Sequence, residues 1–305
     1  MKLFCDTVVF STDENYVMPT SVAIFSLISN MPKDTTLSIY IMTEKKLSKT
    51  AEKILEKSLS NSSSKINYLY VGDWFNDNKL HIEHISKATY YRLLLPKLLK
   101  NVKQCIYLDG DICINNNIQK LFQIKLKNYE YIAGVKAPGI QLKRRGKKER
   151  MKILGIESLN NYINAGVIII NLDAIRNNNL FDKMIELSKL DLPVQDQDVL
   201  NVSCYNHIRI LSPIYNSMPH LFYYRKKRLS KLYSLNEIDE AISNPIIIHY
   251  ADKYKPWKYY NVNNSGKWYY YYEELYNDKL KNLKNAKIEK KLDYFKKKID
   301  MITKK

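Results

Sequence analysis

The chain has 305 residues, enough for one large domain or two ordinary ones, and its 45% hydrophobic content supports a sizeable core. Its four cysteines, Cys5, Cys105, Cys113 and Cys204, form no C-x-x-C pair, which argues against a zinc site or a disulfide framework and suits a reducing cytoplasm. The formal charge of +18 suits phosphate-bearing partners, whether nucleic acid or membrane, while no run approaches the roughly 18 apolar residues of a membrane span.

In chain order, the opening MKLFCDTVVFSTDEN reaches an acid at Asp6 and has no apolar core of its own, so no signal peptide is expected. Strands are expected at Thr7–Phe10, Leu37–Thr43, Ile66–Val71 and Gln104–Leu108, with helices at Pro19–Ser29, Lys46–Leu59 and Lys87–Leu99 between them. Such alternation implies an α/β fold whose mostly parallel sheet is covered by helices. Ligands bind such sheets beyond the carboxyl ends of the strands. The second half is less regular. Tyr131–Lys136, Gly166–Asn171 and Pro245–Tyr250 read as strands, and Asp173–Leu190 and Gln197–Cys204 as helices.

Two stretches concentrate the positive charge. KRRGKKERMK, 143–152, has seven cations and one acid and falls in a long connection. From Lys279 to Lys305 there are eleven lysines against Glu289, Asp293 and Asp300, with apolar residues at helical spacing, which predicts a basic amphipathic helix outside the main core. The expected division is a catalytic domain over 1–262 and an aromatic, lysine-rich tail over 263–305.

The chemistry concentrates in CIYLDGDICINN, 105–116. Asp109 and Asp111 end an apolar strand one residue apart, where side chains at i and i+2 share a face and like charges repel. A hard divalent cation would cancel that repulsion, although Asp-Gly also suits an ordinary turn, and the pair alone does not decide. A phosphatase-like reading, with Asp109 as phosphoryl acceptor, lacks a second acidic cluster to complete it. The companions add more. IIIHYADKYKPW, 246–257, places His249 after a buried strand and Lys255 shortly beyond, as a borderline metal ligand and a point charge for phosphate. YINAGVIIINLD, 162–173, offers Asn164, Ala165 and Gly166 for close backbone approach, and VQDQDVLN, 194–201, offers Asp196 and Gln197 to read hydroxyl groups, unless Asp196 merely caps a helix.

Five blocks, VVFSTDENYV, HISKATYYRLLLP, YLDGDI, NAGVIIIN with QDQD, and HYADKYKPW, together resemble glycosyltransferase family 8, the retaining galactosyl- and glucosyltransferases of bacterial lipopolysaccharide outer cores. The resemblance implies a GT-A fold, a single Rossmann-like nucleotide-sugar-binding domain with a mixed central sheet. It implies a UDP-galactose or UDP-glucose donor and Mn²⁺, with Mg²⁺ as the alternative. Carried over, Ser11, Asp13 and Asn15 fall at the uridine and ribose, Asp109, Asp111 and His249 at the metal, and Lys255 at the diphosphate. Arg92, Asn164, Ala165, Gly166, Asp196 and Gln197 fall at the donor sugar, with His84 and Thr89 on the same rim. Asp109, Asp196 and Gln197 are the expected catalytic residues: Asp109 also reaches a sugar or ribose hydroxyl, Asp196 orients the sugar, and Gln197 stabilises an oxocarbenium-like state. An amide is a poor nucleophile, so front-face attack by the acceptor hydroxyl is expected.

The family commonly has glycine where this chain has Asp252, which questions the local diphosphate contact and raises a binding-only relative as the alternative function. The 143–152 stretch is expected to receive a glycan or lipid-linked acceptor such as a lipooligosaccharide. The tail is expected to hold the protein on the inner face of the cytoplasmic membrane, through anionic lipid. Nucleic-acid binding is a further, weaker alternative use of the basic surface, but nucleic acid is not an expected partner, since no helix-turn-helix, zinc-finger or RNP pattern is present.

Overall fold

The computed structural model describes residues 3–76, 78, 87–259 and 264–277. Strands β1 (Thr7–Ser11), β2 (Ser38–Thr43), β3 (Lys65–Tyr70), β4 (Gln104–Leu108), β6 (Ile132–Lys136), β7 (Ile163–Asn171) and β8 (Ile208–Ile210) form one sheet in the order β3-β2-β1-β4-β7-β6-β8. A separate two-stranded sheet joins β5 (Ile112–Ile114) to β9 (Ile247–His249). The near-continuous apolar runs of the central strands follow from burial on both faces. Val8 and Phe10 of β1, Ile106 and Leu108 of β4, and Val167 and Ile169 of β7 pack into one core. Their alternates Val9, Cys105, Tyr107, Ile168 and Ile170 pack into the other. All four cysteines are buried free thiols.

Strands β1 to β4 run parallel, whereas β7 is antiparallel to both β4 and β6, so the sheet is mixed. β1 has β2 on one side and β4 on the other, which makes the gap at their carboxyl ends a topological switch point. After β1 the chain turns through Asp13, whose carboxylate accepts the N–H groups of Asn15 and Tyr16, into helix α1 (Val17–Ser29). Helix α2 (Lys49–Lys57) starts at Ser48, whose hydroxyl accepts the Ala51 N–H.

Several boundaries differ from the expected ones for identifiable reasons. The helix expected over Asp173–Leu190 is two, Leu172–Asn177 and Leu180–Ser188, broken where Asn179 takes a left-handed φ of 53°, a conformation asparagine tolerates. The segment Lys87–Leu99 is mostly a 3₁₀ helix, Lys87–Leu94, followed by one α turn at Leu95–Leu98. Within the basic connection a helix forms over Lys147–Leu154, bounded by Gly146 and Gly155 at φ 78° and 63°. β7 begins at Ile163, so Asn164, Ala165 and Gly166 belong to the strand.

The aromatic segment beyond 263 forms a helix, Ser265–Tyr276, that packs on α1 and on the β5–β9 sheet. Trp268 is fully buried with Val22, Cys113, Ile248 and Tyr250, while the hydroxyl of Tyr271 accepts a hydrogen bond from Asn30 at 2.6 Å. This part of the segment belongs to the packed body; the lysine-rich stretch from 279 lies outside the described residues. Trp268→Ala is expected to lower the unfolding free energy by about 3–5 kcal/mol, measured by denaturant titration. A loss under about 1 kcal/mol would mean that this helix adds little to the fold.

Candidate active site

The register of two strand pairs brings the two aspartates and the histidine together. β4 pairs with β7 so that Leu108 lies opposite Val167, and the next residue, Asp109, donates its N–H to the Gly166 carbonyl at 2.8 Å. Ile112 of β5 pairs with His249 of β9, and Tyr250 donates its N–H to the Asp111 carbonyl at 2.9 Å. The imidazole therefore faces both carboxylates, with Nε2 at 3.7 Å from Asp109 Oδ2 and 3.2 Å from Asp111 Oδ1. A Cβ on Gly166 would overlap the His249 ring and Asp109 Oδ2, so only glycine lets them meet there.

Each carboxylate divides its oxygens. Asp109 gives Oδ1 to Arg92 at 2.9 Å, and Asp111 gives Oδ2 to Lys255 at 2.5 Å. Burial alone would raise the Asp111 carboxyl, but Lys255 and His249 outweigh it and hold it well below the usual carboxylate range. One oxygen of each acid and one imidazole nitrogen remain toward a common point, all within 4.8 Å of one another. Neighbouring ligands on one small octahedral cation lie about 3 Å apart, so two hard oxygens and a borderline nitrogen fit Mn²⁺ or Mg²⁺ there.

Arg92, buried in the 3₁₀ segment, joins this end of the site to the other. Its Nε donates to the Thr89 carbonyl at 2.8 Å and lies 3.1 Å from Asp196 Oδ2. A second nitrogen donates to the Ala165 carbonyl, and the guanidinium lies 4.1 Å from the Tyr107 ring centroid. Asp196 does not cap its helix, as its sequence position also allowed. The helix Gln195–Ser203 starts two residues earlier than expected, and the carboxylate that takes up a terminal N–H, that of Val194, is Asp198. Gln195 sits at φ 49°, a left-handed strain of about 1–3 kcal/mol that sets the direction in which Asp196 and Gln197 leave the backbone.

Every predicted site residue that the structure describes lines one cavity: Ser11, Asp13, Asn15, Thr89, Arg92, Asp109, Asp111, Asn164, Ala165, Gly166, Asp196, Gln197, His249 and Lys255. His84 lies outside the described residues. Asp252 is not part of that lining, and its carboxylate accepts the Lys253 N–H at 2.7 Å. Residues the sequence did not single out also line the cavity, among them Tyr16, which meets Trp257 edge to face at 5.4 Å, and Tyr107. Behind the lining, Asn216 Oδ1 lies 2.8 Å from His249 Nδ1, and Tyr162 bridges Gln197 to Asp198. A tyrosine at a strand end leaves a sequence signal; a neutral buried amide such as Asn216 leaves none.

The profile described as "Glycosyl transferase family 8" matches residues 7–261. The chain belongs to glycosyltransferase family 8. A "Putative glycosyltransferase" of Haemophilus influenzae is 35% identical over 217 residues, 70% of this chain, and the match spans 63% of that protein's own length. The "Lipopolysaccharide 1,3-galactosyltransferase" of Salmonella typhimurium is 30% identical over 182 residues, 56% of this chain and 49% of its own. Among solved structures, the galactosyltransferase LgtC in complex with donor and acceptor sugar analogues shares the fold at a TM-score of 0.74 and 21% identity, over 88% of this chain and 95% of that one. The mixed seven-stranded sheet is thus the GT-A fold of family 8.

In this family-8 chain, burial pushes the Asp196 carboxyl up to about 6, against the pull of Arg92 and with a further push from Asp109. The upward direction holds because Asp109 already shares the Arg92 charge. Between about pH 4 and 6 the folded state keeps a proton that the unfolded chain has lost, so this contribution to stability is full below about 4 and lost as pH rises through 6. Asp196→Asn in metal-free protein is expected to gain on the order of 3 kcal/mol at pH 7.5 and nearly nothing at pH 4. Thermal midpoints at both pH values check this; an equal shift at both would contradict it.

Proposed function

We propose that the protein is a retaining hexosyltransferase that moves galactose or glucose from a UDP-sugar to a glycan acceptor, of the lipopolysaccharide or lipooligosaccharide core class, with Mn²⁺ bound by Asp109, Asp111 and His249. The observation that carries the reading is a single cavity with the acid–acid–histidine cluster and Lys255 at one end and Asn164, Asp196 and Gln197 at the other. When bound, Mn²⁺ supplies Lewis-acid stabilisation to a diphosphate leaving group. Lys255 adds a buried positive charge beside the same point. Asp13 and Asn15, at the carboxyl end of β1, are suited to the uridine and ribose, and Ser11 is a buried hydroxyl on the same cavity wall.

The arrangement of Gln197 supports front-face attack. Its Oε1 accepts from Asn164 Nδ2 at 2.9 Å and from the Ala165 N–H at 3.1 Å, so both lone pairs are engaged. An amide oxygen so occupied is a poorer nucleophile still, and its remaining use is to present a fixed dipole to a positively charged sugar. The acceptor hydroxyl then attacks from the side of the leaving group and gives its proton to a diphosphate oxygen. Asp196, ionised at neutral pH, orients the sugar through its hydroxyls.

The salt-dependent part of acceptor binding falls to the basic segment at 143–152. Arg150 is committed to Asp198 at 3.2 Å, while Lys143, Arg144, Arg145, Lys147, Lys148 and Lys152 are exposed and suit phosphorylated saccharides. No helix among the described residues is long and apolar enough to cross a membrane. The lysine-rich stretch 279–305 is proposed to hold the protein on an anionic, cytoplasmic membrane face. Its deletion is expected to abolish sedimentation with phosphatidylglycerol vesicles while UDP binding persists; unchanged sedimentation would refute this role.

The donor chemistry is tested by UDP release from a panel of UDP-sugars, with Mn²⁺ or with EDTA and no acceptor. Slow release from one hexose donor with Mn²⁺ and none with EDTA is expected, and Asp111→Asn should cut the rate at least about 100-fold. Full activity of that variant would refute the metal assignment. UDP binding without release, even when acceptor glycans are added, would favour the binding-only alternative.

A further inference from the structure

We propose that Asn216 is a positioning residue that fixes which nitrogen of His249 faces the two aspartates, an inference that rests on the metal site proposed above. The hydrogen positions follow from backbone groups whose polarity is not in question. The Gly166 N–H lies 3.1 Å from one side-chain atom of Asn164, and an N–H only donates, so that atom is the oxygen Oδ1. Asn216 also approaches Asn164 Oδ1, at 2.9 Å, so Asn216 presents its NH₂ group there. Its own oxygen then faces His249 Nδ1 at 2.8 Å, and Nδ1 carries a hydrogen. Nε2 is left as the nitrogen whose lone pair, in the neutral ring, points at Asp109 and Asp111.

The same logic runs to the sugar side. The Ala165 N–H fixes Gln197 Oε1 as its acceptor, Asn164 Nδ2 donates to the same oxygen, and Gln197 Nε2 therefore turns to the Tyr162 hydroxyl at 3.2 Å. That hydroxyl donates to Asp198 at 2.5 Å, so every amide between His249 and Asp198 has one permitted orientation. Two backbone N–H groups of β7 write the order, and Asn216 is the link that carries it to the metal ligand.

The backbone holds Asn216 in place for this. It follows the 3₁₀ turn Pro213–Tyr215 and is wholly buried. The next residue, Ser217, donates its N–H to the Ile247 carbonyl at 2.9 Å and accepts the His249 N–H at 3.1 Å. Asn216 and His249 are thus tied together by main chain as well as by side chain. Partners of this kind orient metal-bound imidazoles, and their loss costs about 10–100-fold in metal affinity.

The test reads metal binding and tautomer rather than turnover. Mn²⁺ affinity, from the electron paramagnetic resonance signal of the free ion, is expected to fall at least about tenfold in Asn216→Leu and to stay within about threefold of wild type in Asn216→Asp, which keeps an acceptor for Nδ1–H. In wild-type protein loaded with Cd²⁺, a diamagnetic ion of similar size, long-range ¹H–¹⁵N spectra should show His249 with its hydrogen on Nδ1. Equal affinity in all three proteins, equal loss in both variants, or a hydrogen on Nε2 would overturn the inference. The spectrum needs no variant and keeps the test open if the leucine protein does not fold. No Mn²⁺ binding by wild type would instead overturn the metal reading, and this inference with it.

Discussion

Two carboxylates held one residue apart at the end of a buried strand are the constraint around which the rest of the site is arranged. Burial disfavours the ionised form of Asp111, and two carboxylates held this close repel each other. The fold answers with one cationic side chain for each: Arg92 for Asp109 and Lys255 for Asp111. Each uses only the oxygen that points away from His249. Arg92 and Lys255 come from chain segments on either side of the β4–β5 turn, so both must dock before the two acids have their cationic partners. Breaking such a buried pair by removing one partner is costly, which links the integrity of the fold to the charge state of the site.

The compensation is deliberately incomplete. Among the described residues, Asp109, Asp111 and Asp196 face only Arg92 and Lys255 as permanent cations, which leaves three acids against two cations at that end of the cavity. A divalent cation reverses that sign and makes the same place attractive to a diphosphate. Asp196 shows the consequence in the protein alone: burial pushes its carboxyl up to about 6, against an Arg92 that it shares with Asp109. Left-handed Gln195 adds backbone strain at the adjoining position. Stability is thus lower than it would be with neutral residues here, in exchange for charged groups held fixed in the cavity.

The parts of this arrangement that announce themselves in the sequence are those set by local pattern. Apolar runs such as VVF and QCIYL mark strands because the sheet is buried on both faces, and the acids past their ends mark the ligand side. What stayed hidden depends on partners distant in sequence. Apolar positions at Ile175, Met184 and Leu187 run on across RNNNL and mask the break at Asn179, which a single left-handed asparagine produces. Seven cations over 143–152 look like a loop because few apolar residues mark a helix face, yet a helix forms once Gly146 and Gly155 bound it. Asp196 has the local look of a helix cap, and only the tertiary approach of Arg92 gives it another use. Asn216 has no charge and belongs to no recognisable spacing; its role exists only once β9 has brought His249 beside it.

Charge, too, divides between the interior and the surface. The cations that touch the cavity, Arg92 and Lys255, are buried and spoken for, so they contribute little to the field that a distant partner meets. Arg150 is likewise withdrawn from the basic segment: by holding Asp198 it steadies the acceptor of the Tyr162 hydroxyl, and through Tyr162 the amide of Gln197. The segment that meets solvent beside the site is therefore anchored to the Gln197 side of the cavity by one of its own cations. Its exposed lysines and arginines carry a long-range attraction that salt screens over about 10 Å, whereas the buried pairs at Asp109 and Asp111 are screened far less. The buried cluster and the basic surface thus respond differently to ionic strength, although a single hydrogen-bonded chain of residues connects them.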